Sequence, residues 1–178
     1  MNAKAVILAG AGLGFIVWAL RREYPEQAAD VVDIIMEPIK RVIDGPRGIR
    51  NNNPGNIVRT GETWRGMSAD QSADSRFVVF DDPVWGLRAL ARVLRKYNAA
   101  GLNTVQAIIN RWAPPVENDT GAYVRSVAAR LGVSPTQPLV LTDQVMAGLM
   151  AAITEHENGK NPYPPETFAQ AINLERSA

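Results

Sequence analysis

The residue in this chain best placed to do chemistry is Glu157, in the run AAITEHENGKNPY at 151–163. On a 3.6-residue period it falls on the same side of a helix as Met146, Met150 and Ile153, while Glu155 points nearly opposite. Glu is almost never buried without a partner, so a carboxyl on an apolar stripe calls for an explanation. It also stands in the last helical turn, at the negative end of the dipole. Desolvation and dipole both favour the proton-holding form, which is what a glycosidase general acid requires. The plainer alternative is a frayed helix end at which Glu157 simply reaches water.

Other candidates gather around short motifs. Asn51, Asn52, Asn53 and Asn56 surround Pro54-Gly55. Their amides carry donors and acceptors suited to sugar hydroxyls and N-acetyl groups, though the same residues are the ordinary vocabulary of turns. Trp64, Trp85, Trp112, Tyr123 and Tyr163 offer faces for stacking on saccharide rings, and Tyr123 and Trp112 also sit at core spacing. The segment WAPPVEN at 112–118 places Glu117 and Asn118 after two prolines. Glu117 is thus an alternative catalytic carboxylate, or simply a charge at a helix N-terminus. Glu62, Asp70 and Asp74 are further candidates for a second acid.

Composition narrows the chemistry. Cysteine is absent, which excludes disulfides, thiol nucleophiles and thiolate metal sites. His156 is the single histidine, too few for a zinc site of the usual kind, so no metal and no cofactor are expected. No P-loop or dinucleotide glycine pattern occurs. The 19 basic and 18 acidic residues give a net charge of +1, no footprint for nucleic acid. Any hydrolysis then falls to carboxylates.

The elements that must position these groups are mostly helical. Asp82 is a plausible N-cap with Pro83 after it, followed by Leu87, Leu90, Ala91, Leu94 and Tyr97 at helical spacing. Further helices are expected at about Thr104–Trp112, from Asp119 or Thr120 to Gly132, at Thr142–Glu157, and at Glu166–Leu174. Two short strands are expected around Asn56–Arg59 and Arg76–Phe80. The pattern predicts a mainly helical α+β domain with a small β region, over residues 47–178.

Ahead of it, residues 5–20 read AVILAGAGLGFIVWAL between Lys4 and Arg21-Arg22. That run spans roughly 24 Å as a helix against a hydrocarbon core of ~30 Å, and the flanking cations can snorkel. Residues 1–22 are accordingly expected to be a transmembrane helix contacting membrane lipid, a cleaved signal peptide being the rival although no small-x-small site follows the run, and 23–46 a helical stalk and linker broken near Pro38.

Several stretches together carry a resemblance. GIRNNNPGNI (48–57), Trp64-x-Gly66, FVVF (77–80) and Gly86-x-Arg88-Ala89-Leu90 come first; TVQAIINRWAPPVEN (104–118), Thr120-x-x-Tyr123-Val124 and HENG (156–159) follow. As a set they resemble bacteriophage virion-associated proteins with lysozyme-like muralytic domains. The Glu157 region is also similar to the Glu-Ser-Gly motif of lytic transglycosylases, with Asn158 in place of Ser, although there the motif comes first in the domain. The resemblance implies a lysozyme-like domain that cleaves peptidoglycan glycan strands, with Glu157 as acid and Asn51, Asn52, Asn53, Asn56, Trp64, Asn118, Tyr123 and Tyr163 binding substrate. It implies a place in a phage virion, beside other virion proteins, or in a bacterial inner membrane facing the periplasm. The alternative expectation is a non-enzymatic virion membrane protein that binds wall glycan or bridges capsid and membrane.

Overall fold

The computed structural model describes Arg22, residues 45–114 and residues 119–177. The chain divides into two units, residues 1–45 and 46–178. The described residues of the second form six helices: α1 (Arg47–Arg50), α2 (Pro83–Ala99), α3 (Val105–Trp112), α4 (Thr120–Leu131), α5 (Asp143–Asn158) and α6 (Pro165–Arg176).

Local chemistry explains where most of them start and stop. The side chains of Asp82, Thr104, Asp119 and Thr142 each accept a backbone N–H of the first turn, capping α2, α3, α4 and α5. Gly132 and Gly159 end α4 and α5 in the left-handed conformation that glycine adopts without a Cβ penalty.

Helix α5 is the hub, packing against α1, α2, α4 and α6. It buries Met146, Leu149, Met150, Ala152 and Ile153. Leu87, Leu90 and Leu94 of α2, Ile108 and Ile109 of α3, and Ile172 of α6 complete one core. Each such side chain contributes about 1.5–3 kcal/mol through removal from water. The approach of α4 to α5 is close, since a Cβ on Gly148 would lie 2.5 Å from Leu131 Cδ2.

The expected α+β class is corrected by this structure: the described residues hold no strand and no sheet. The two segments expected as strands meet at the isolated bridge Val58–Phe77, and Met67 bridges Phe80 separately. Side-chain amides explain why no ladder grows. Asn53 Nδ2 donates to Val78 O at 2.8 Å. Gln71 receives Val79 N–H at 2.9 Å and donates to Val79 O at 2.7 Å. Backbone groups that would recruit a neighbouring strand are thus taken by side chains. Ile57, Val78, Phe80 and Ala89 form a small second core beneath this irregular segment.

The transmembrane part of the expected fold is not upheld either. Among the described residues no helix is long and apolar enough to cross a membrane. Residues 5–20, on which that expectation rested, and the stalk at 23–44 lie outside the described residues.

Candidate functional site

Glu157 occupies the last turn of the central helix, half-buried, on the wall of a cleft of about 700 Å³. Both carboxylate oxygens are held. Trp112 Nε1, at the end of α3, donates to Oε1 at 3.1 Å, and Asn56 Nδ2 donates to Oε2 at 3.0 Å. A carboxylate oxygen has two acceptor sites, so each still has capacity for a ligand.

The loop that delivers Asn56 is fixed by its own polar chemistry. Asn53 donates to Ile57 O and Val78 O and accepts from Ile57 N, so its amide is spent on the turn. Asn52 and Asn56 have φ of 51° and 50°, a left-handed conformation that Asn tolerates better than most side chains. Asn158 is buried next to Glu157 and donates to Pro54 O and Thr154 O, both at 2.8 Å, tying the loop to the end of α5. Gly48 lets α1 approach that junction: a Cβ there would overlap Asn158 Oδ1 and lie 2.9 Å from Asn53 O and Asn56 Oδ1.

Tyr123, from α4, closes one side of the cleft. It is 1 % exposed and stacks on His156, with ring centroids 3.4 Å apart and planes 8° from parallel. Burial first, and then the negative charge of Glu157, push its phenol well above the ordinary tyrosine range, so it stays neutral. Its hydroxyl is buried without a hydrogen bond of good geometry among the described residues. Trp64 and Tyr97 add aromatic surface to the cleft, and Tyr97 meets Trp112 edge to face at 6.4 Å.

Of the residues singled out from sequence, the cleft brings together Glu157, Asn56, Trp64, Trp112 and Tyr123. Asn51, Asn52 and Asn53 turn inward: Asn51 donates to Asp74 at 2.8 Å, and Asn52 to Phe80 O at 3.0 Å. Tyr163 packs edge-on against Phe168, 6.4 Å away, and is not among the cleft residues. Glu117 and Asn118 lie outside the described residues. Among the proposed second acids, Glu62 lines the cleft. Asp70 and Asp74 are occupied in turns, accepting the N–H groups of Ser72, and of Arg76 and Phe77.

Two residues of the site were not legible as such. Trp112 reads from sequence as a stacking or core residue, and only its indole N–H, at the helix terminus, reaches Glu157. Asn158 reads as part of a helix stop. An amide immediately after a buried-face carboxylate, and before glycine, was the available signal for its anchoring role. Among the described residues, no three His, Cys, Asp or Glu side chains group to hold a metal ion.

No family model matches the chain. It is similar to Protein P5 of Pseudoalteromonas phage PM2, with 39 % identity over 139 residues, covering 76 % of this chain and 84 % of that protein. Identity of that level over that share of both sequences exceeds what a common motif alone would give, and so the chain belongs to the family of the phage PM2 Protein P5.

Proposed function

We propose that this protein is a phage virion component that cleaves the glycan strands of bacterial peptidoglycan, with Glu157 as the proton-transferring group. The observation that carries this reading is the Glu157 carboxyl, fixed by Trp112 and Asn56 at the wall of a cleft with aromatic sides. In the acid form its proton goes to the glycosidic oxygen as the C–O bond breaks. The resulting carboxylate then takes a proton from the attacking hydroxyl, either water or a hydroxyl of the cleaved sugar. Tyr123, held neutral, presents a hydroxyl beside that carboxylate. Glu62 is the other carboxylate among the described lining residues and sits 4.0 Å from Lys96 Nζ. Membership of a phage protein family supports the virion setting.

One observation favours a second reading. Both Glu157 oxygens already accept hydrogen bonds from fixed donors, an arrangement that also suits a carboxylate whose task is to hold the Asn56 loop. The protein would then bind wall glycan without cutting it.

The test is zymography of the full chain on purified peptidoglycan, with co-sedimentation in parallel. Loss of a general acid costs typically ~10²–10⁴-fold, so Glu157→Gln should abolish clearing while retaining the circular-dichroism spectrum and binding. Equal clearing by both proteins would refute the role of Glu157. Sedimentation with the wall by both, without clearing by either, would select the binding reading.

A further inference from the structure

The Trp64-x-Gly66 and Gly86-x-Arg88 motifs meet, through Trp64, Arg65 and Arg88, at a second recess of about 440 Å³. Its walls carry Arg65, Arg88, Arg92 and Lys96, and the acid among them is Glu62. Arg88, Arg92 and Lys96 follow one another at four-residue spacing on α2, so they share a face. Like charges at that spacing repel one another, and a helix gains nothing locally from presenting them.

The charges are unevenly compensated. Lys96 faces Glu62 at 4.0 Å, and both are well exposed. Arg92 reaches Glu175 of α6 at 3.6 Å, and the same carboxylate is also paired with Arg95. Arg88 is 6 % exposed, and its Nε donates to the backbone carbonyl of Leu174 at 3.3 Å. Burial first, then the charges of Arg65 and Arg92, push its pKa down, with Glu175 opposing. Glu175 is one carboxylate among Arg88, Arg92 and Arg95, so with Arg65 added the cluster keeps an excess of positive charge that a bound anion would offset.

Arg65 is aimed by packing. Its Cζ lies 5.2 Å from the Trp85 ring centroid, and Gly66, at φ 74°, leaves room where a Cβ would overlap that indole. Aromatic stacking of this kind pre-organises a guanidinium fork while leaving its donors free.

We propose that this recess is an oxyanion-binding site, taking a carboxylate or phosphate group between Arg65, Arg88 and Arg92. Planar guanidinium forks match both groups with paired hydrogen bonds. The recess and the Glu157 cleft share Glu62, Trp64 and Lys96 in their walls. The recess thus adjoins the cleft, within reach of an anionic substituent on a polymer bound there. The site itself stands on the arginines and does not require that Glu157 catalyse anything.

The experiment is titration of the full chain with sodium phosphate and, separately, sodium acetate at constant ionic strength, read by tryptophan fluorescence and thermal shift. Saturable binding is expected for the wild type. Arg65→Ala and Arg92→Ala, both at exposed positions, should each weaken it by about tenfold, the loss of one charge-assisted contact. Arg130→Ala, whose side chain pairs with Glu155 on another face, should match the wild type. No saturable binding of either anion, or unchanged affinity in both recess variants, would overturn the inference. A further arm compares disaccharide-peptide fragments of peptidoglycan with free and with amidated carboxylates. Preference for the free acids, lost in Arg65→Ala and kept in Glu157→Gln, assigns the site to wall carboxylates. Phosphate binding without that preference assigns it to a phosphate group.

Discussion

Replacing Gly48 with alanine tests how the site is assembled, because two well-understood effects predict opposite signs. Gly48 lies inside α1, where alanine is favoured over glycine by up to about 1 kcal/mol. Local propensity alone therefore predicts stabilisation. The tertiary structure predicts the reverse. The new Cβ would overlap Asn158 Oδ1 and come within 2.9 Å of the Asn53 carbonyl and Asn56 Oδ1. Asn158 cannot simply swing aside, since its Nδ2 is committed to Pro54 O and Thr154 O. Overpacking costs about 1–3 kcal/mol, and weakening one or two of those buried hydrogen bonds adds about 1 kcal/mol. The net expectation is a loss of about 2 kcal/mol, a fall in melting temperature of roughly 8 °C for a unit of this size. The assay is urea and thermal denaturation of the full chain followed by circular dichroism. A double-mutant cycle with Asn158→Ala sharpens it: without that amide oxygen, the cost of Gly48→Ala should fall by about half. Gly48→Ala that is neutral or stabilising, or strictly additive with Asn158→Ala, would refute the argument that this glycine exists to seat the loop on α5.

Two further predictions concern protons and buried hydroxyls. Burial alone would raise the pKa of Asp74, but the N–H of Phe77, the Asn51 amide, the N–H of Arg76 and the charge of Arg47 together bring it below the ordinary carboxylate value. The stability it contributes is therefore complete above the unfolded value near ~4 and lost as pH falls through the lower folded value. Asp74→Asn should flatten the acid limb of a stability-against-pH curve, and an unchanged limb would count against this assignment. Tyr163 carries a buried hydroxyl without a hydrogen-bond partner among the described residues, its pKa pushed up to about 12 by burial and then by Asp82. Tyr163→Phe should be neutral or slightly stabilising at pH 7 and should remove a decline in stability between the unfolded value of ~10 and about 12. A loss above about 1 kcal/mol would show that the hydroxyl has a partner after all.

Much of the helical framework was legible because the signals are local. A capping side chain at Asp82, Thr104 or Thr142 meets an N–H two or three residues on, so sequence neighbours settle the matter. The position of Glu157 on the inner side of α5 follows equally from the helical period. The absence of cysteine fixed which nucleophiles were out of reach. What the chain's local pattern could not decide was which of four asparagines would face that carboxylate. Asn56 and Glu157 are 101 positions apart, and their contact depends on how Gly48, Asn53 and Asn158 lay the loop against the helix end. The same holds for the expected strands. The β-branched and aromatic run at 76–80 suits a strand, yet Asn53 and Gln71, distant in sequence or outside the pattern, take the backbone groups a sheet would use. Period and capping are properties of neighbours along the chain. The partner of a buried amide, a carboxylate or Arg88 is a property of how the elements pack, and only the tertiary structure determines it.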